Sequence, residues 1–118
     1  MKFYYNGKLV RTSKNHYYTH AVINPDGDRL IGCCSRLDLA IKLRNSWISS
    51  LETNIENYNR AIKAIENGKK TYWGKYGNRE VLNKVYYSAD DYKKFIENDK
   101  ARIAYRSNFK VVELEARD

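Results

Sequence analysis

The sequence predicts an α+β fold: an N-terminal antiparallel sheet joined by a C-terminal strand, one long helix and a second, shorter helix. Three observations lead there. The first third of the chain alternates strand-like runs with the turn signals Asn6-Gly7 and Pro25-Asp26-Gly27-Asp28. From Ser35 to Gly68 apolar residues recur at heptad spacing. A second helical pattern opens at Ser88 and is followed by the β-like run Phe109 to Glu115.

Taken in order, Lys2 to Thr12 reads as a hairpin, because Asn-Gly adopts the two-residue turn whose twist matches paired strands. Tyr17 to Asn24 reads as a third strand, with Tyr18, His20 and Val22 on one face, and Arg29 to Cys34 as a fourth. Leu37, Leu39, Ala40 and Leu43, at the start of the long helix, are the expected cover for this sheet.

The long helix is predicted to start at Ser35, with Asp38 completing a capping box, and to stop at Gly68. Ile41, Ile48, Ile55 and Ile62 form one row; Leu37, Arg44, Leu51, Tyr58 and Ile65 form the other. At about 1.5 Å per residue such a helix is roughly 50 Å long, more than a small globule spans. The rest of the chain is too short to cover the whole seam, so a second copy is expected along it, giving a dimer or higher homo-oligomer. The competing arrangement folds the second helix back along the seam within one chain.

Ser88 and Asp91 repeat the capping signal, and Tyr92, Phe95, Ile96 and Ile103 make one face of the second helix. Asp90 and Asp91 in its first turn and Arg102 and Arg106 in its last suit the helix dipole. The terminal strand is expected to return to the N-terminal sheet.

A chain of 118 residues predicts one domain. Its 22 Lys and Arg against 14 Asp and Glu give a formal charge of +8, which favours anionic partners. No run reaches the roughly 18–20 apolar residues of a membrane span, and no signal-peptide core is evident, so a soluble, cytoplasmic protein without membrane contact is expected. Cys33 and Cys34 are adjacent, which strains a disulfide between them, and no histidine or cysteine stands at metal-ligand spacing from them. They are expected as free thiols, and neither a metal nor a cofactor is expected.

The chain has no phosphate-cradling glycine motif, no H-E-x-x-H and no nucleophile elbow. Binding without catalysis is therefore the expected role. Between Lys69 and Tyr87 five basic residues (Lys69, Lys70, Lys75, Arg79, Lys84) face one acid, Glu80, and are interleaved with five aromatics that include Tyr72, Trp73 and Tyr76. Tyr105, Arg106, Asn108 and Phe109 form a second candidate cluster. Arginine offers a planar fork for phosphate oxygens, and aromatic faces stack nucleobases. Ordinary packing of rings between helix and sheet accounts for the same composition.

The layout as a whole, with its Tyr5-Asn6-Gly7-Lys8 and Val10-Arg11-Thr12-Ser13 hairpin, resembles the phage anti-Thoeris sponge family, Thoeris anti-defence protein 1. The similarity is one of layout over most of the chain. It implies a homo-oligomer that acts in the host cytoplasm during infection. The implied activity is sequestration of a cyclic ADP-ribose isomer made by the Thoeris TIR-domain enzyme, and for some members of the cyclic oligonucleotides of CBASS. The family's arginine near the C-terminal strand is best matched by Arg106, with Arg29 and Arg11 as further candidates for contacting phosphate. Tyr105, Asn108, Phe109, Trp73, Tyr72 and Arg79 complete the expected ligand-binding set by composition and placement. A nucleic-acid-binding or anti-CRISPR-type small phage protein is the alternative.

Overall fold

A computed structural model describes all 118 residues, and the fold is α+β. The elements run β1 (Lys2–Tyr5), β2 (Lys8–Thr12), β3 (His20–Ile23), β4 (Leu30–Cys34), α1 (Leu37–Glu66), β5 (Thr71–Tyr76), β6 (Arg79–Lys84), α2 (Ala89–Arg106), β7 (Lys110–Glu113) and β8 (Glu115–Arg117). They divide between two compact units. One comprises Met1–Trp47 and Tyr105–Asp118; the other is the continuous segment Ile48–Ala104. Residues of α1 belong to both.

In the first unit the expected single sheet is two three-stranded sheets, ordered β2-β1-β8 and β4-β3-β7. The terminal strand does return, but it breaks at Leu114, whose N–H donates to the Thr19 carbonyl at 2.9 Å. The piece before the break pairs with β3 and the piece after it with β1, both antiparallel. Asn6 and Gly7 have φ of 50° and 76°, the left-handed pair that the hairpin turn requires. Core packing joins Val22, Ala40 and Phe109, with Leu43, Trp47 and Val111 against them. The helix thus covers its sheet through Ala40, Leu43 and Trp47, spaced three and four apart. Leu37 and Leu39, expected in that cover, remain exposed.

The start of α1 also differs from expectation. Its first turn closes from Ala40 N–H to the Arg36 carbonyl at 3.3 Å, and the Asp38 carboxylate pairs with Arg36 at 3.2 Å instead of serving Ser35. The stop is as expected: Gly68 has φ 70°, its N–H donates to the Ile65 carbonyl at 3.0 Å, and Lys69 N–H donates to the Ala64 carbonyl at 2.8 Å. Those two bonds form a Schellman motif. At α2 the Ser88 hydroxyl accepts from Asp91 N–H at 3.1 Å, the predicted N-cap.

In the second unit the heptad seam is covered from within. Ala61, Ile62, Tyr92 and Ile96 are its buried centre, with Ile55, Tyr58, Ile65, Tyr72, Val85 and Phe95 packed around them. The expectation that a second copy must cover this part of the seam is corrected: α2 folds back on it. What stays open is the seam's beginning in the first unit, where Leu37 is 51% and Ile41 38% exposed. The segment after Gly68, expected only to turn, is a regular hairpin in which β5 and β6 pair antiparallel around Gly77-Asn78.

Candidate functional site

Four of the expected residues stand around one point of the first unit. α2 ends at Arg106, and a turn follows in which Asn108 N–H donates to the Tyr105 carbonyl and Phe109 N–H to the Arg106 carbonyl, each at 3.1 Å. This turn brings Arg106 back to Trp47. The guanidinium donates to the Trp47 carbonyl at 2.7 Å and lies over its indole, 5.0 Å from the ring centroid. A cation over the face of an indole is attracted by the ring's quadrupole. Phe109 meets Trp47 edge-on at 6.1 Å and Tyr105 at 5.7 Å, so a row of three rings backs the arginine.

Within that row the roles separate by burial. Phe109 is 5% exposed and belongs to the core, so it supports the cluster and has no face to offer a ligand. Tyr105 is 48% exposed and does have one. Arg106 is half-buried, its orientation fixed by the carbonyl and the indole. Trp47 was missing from the expected set. Nothing local marks it, because its role depends on a contact across 59 residues of chain.

Arg29 and Arg11 occupy other parts of the first unit. Arg29 lines a recess of about 480 Å³ together with the β1–β2 and β3–β4 turns and Lys110. Arg11, exposed on β2, sets its guanidinium 5.6 Å from the Tyr18 ring centroid. It also lies near Cys33. Burial pushes the thiols of both Cys33 and Cys34 up, and Arg11 partly offsets this at Cys33. Both cysteines are free, neither is poised as a thiolate, and no group of three metal-ligating side chains exists in the fold.

The second unit holds Tyr72, Trp73 and Arg79. Strand alternation turns Tyr72 toward the core, and burial, reinforced by neighbouring tyrosines, pushes its phenol up to about 12. Trp73 points the other way and is 57% exposed, opposite Leu82 in the register. These two side chains wall a shallow recess of about 340 Å³ with Arg60, Lys63 and Lys69. Arg60 is already engaged, donating to the Trp73 carbonyl at 3.0 Å and pairing with Glu56 at 2.9 Å and Glu80 at 3.3 Å. Arg79 sits beside the hairpin turn, opposite Tyr76, and does not line this recess.

No family model, curated protein or solved structure matches the chain. No helix is long and apolar enough to cross a membrane.

Proposed function

We propose that this chain is a phage anti-defence sponge. It binds and sequesters a cyclic ADP-ribose isomer, the Thoeris signal, without degrading it, and extends to the cyclic oligonucleotides of CBASS. The observation that carries the reading is the Arg106–Trp47 arrangement. Such a ligand brings a pyrophosphate and an adenine, which ask for an oriented guanidinium beside aromatic faces. Arg106 is held by the Trp47 carbonyl and indole, and the half-exposed Tyr105 ring stands next to it. Capture of an intact ligand needs no nucleophile or acid–base pair. The proposal includes self-association in the host cytoplasm through the open start of the seam, Leu37 and Ile41.

Thermal shift and calorimetry with cyclic ADP-ribose isomers test it. A ligand well above its dissociation constant raises the melting temperature by mass action, and denaturation should return it chemically unchanged. Arg106→Ala should abolish the shift, and Arg106→Lys nearly so, because lysine keeps the charge but loses the planar fork. No shift with any cyclic nucleotide refutes the sponge reading.

The exposed Trp73–Leu82 pair beside Lys63 and Lys69 favours a second reading, a single-strand nucleic-acid binder. Its mark is affinity for short single-stranded DNA that falls steeply with salt. A weak salt dependence combined with a cyclic-nucleotide shift excludes it.

A further inference from the structure

The recess of about 480 Å³ in the first unit falls within the roughly 300–1,000 Å³ typical of small-molecule sites, and Arg106 and Trp47 do not line it. Three cations from separate parts of the chain line it: Lys8 opens β2, Arg29 precedes β4, and Lys110 opens β7. None of the three takes part in an ion pair. Two of them are held by their backbones. Buried Asn24 accepts from Arg29 N–H through its side-chain oxygen at 2.9 Å, and its own N–H donates to the Arg29 carbonyl at 3.1 Å. Lys110 lies opposite Ile23 in the β3–β7 register.

The acids of the same recess do not cancel this charge. Asp28 accepts from the Asn24 side-chain amide at 2.6 Å, and Asp26 is exposed on the turn. Three positive against two negative side chains leave a net +1, with one acid already hydrogen-bonded. Leu9, Val10, Ile23 and Leu30 supply apolar wall. Converging cations beside apolar surface suit a ligand with a phosphate-bearing end and a ring-bearing body.

We infer that this recess is a second binding site, for a phosphorylated nucleoside, with Arg29, Lys110 and Lys8 contacting the phosphates. The site does not rest on the sponge reading.

Calorimetry on the full chain with ADP, inorganic pyrophosphate and adenosine tests it. ADP and pyrophosphate should bind, and adenosine should bind at least about tenfold more weakly than ADP, the loss of charged hydrogen bonds. Arg29→Ala and Lys110→Ala should each weaken ADP about tenfold. Both side chains are exposed, so the variants should keep the wild-type circular dichroism. Asp26→Asn should tighten ADP by removing a like charge, and the weakening caused by Arg29→Ala should persist in an Arg106→Ala background, which separates the two clusters. The site is refuted if ADP gives no heat, if adenosine matches ADP, or if both cation variants bind as wild type. Loss of ADP binding in Arg106→Ala alone refutes it too, by moving the phosphates to the other cluster.

Discussion

Asn57, buried on α1, clamps the backbone of Lys75 on β5: its amide donates to the Lys75 carbonyl at 2.9 Å, and its oxygen accepts from the Lys75 N–H at 2.7 Å. Three residues on, Arg60 takes the Trp73 carbonyl. Together they satisfy backbone groups on the edge of β5 that faces away from β6, the kind of edge that otherwise invites pairing with another chain.

Asn57→Ala should cost about 1–3 kcal/mol, since two hydrogen bonds go and partners are left wanting. Asn57→Asp should cost more, because a carboxylate cannot donate to the Lys75 carbonyl and adds a buried charge. Urea unfolding, with hydrogen exchange at the Lys75 amide, measures both. Equal stability of wild type and Ala variant would show the clamp to be idle.

Leu37 and Ile41 share one face of α1 and stay exposed, whereas Ile62 of the same seam is buried in the second unit's core. Leu37→Asp with Ile41→Asp should therefore shift sedimentation toward monomer with little change in stability. Ile62→Asp should unfold the protein instead, by burying an unpaired charge. A double variant that sediments as wild type refutes self-association through this stretch.

Asp99 is buried on α2, and its Oδ2 has no hydrogen-bond partner; its nearest cation, the exposed Arg102, is 3.8 Å from Oδ1. An unsatisfied buried carboxylate oxygen costs about 1–3 kcal/mol. Asp99→Asn should thus raise the denaturant midpoint. A lowered midpoint would mean that the Arg102 pair outweighs the desolvation.

Tyr72 supplies a pH dependence. Its phenol titrates near 12 in the fold, against about 10 in the unfolded chain, so between these values the folded state holds the extra proton. Its contribution to stability is complete below about pH 10 and is lost as pH rises toward 12. Tyr72→Phe should flatten that loss in unfolding measured from pH 9 to 12. An unchanged slope would assign the loss to other tyrosines.

What was legible in the sequence is what local chemistry determines. The Asn6-Gly7 turn, the Ser88 cap and the Gly68 stop each need only neighbouring residues, and each forms as read. The β5–β6 hairpin was less legible because its anchor is polar and distant, 18 residues away on α1. The break at Leu114 depends on which edge each half meets, so no local signal announces it. At the candidate site, the sequence grouped Tyr105, Arg106 and Phe109. It could not tell that Phe109 belongs to the core or that Trp47 completes the group, because both facts arise only after the strands close.

The split of the first unit across the chain orders its birth on the ribosome. Ile48–Ala104 is continuous and can fold as it emerges. By contrast β3 and β1 each wait for an edge partner in the last few residues. The interval between Cys34 and Lys110 is roughly 4–15 s at about 5–20 residues per second of synthesis. During it the four early strands present bare edges, so nascent or prematurely terminated chains are the species most prone to aggregate.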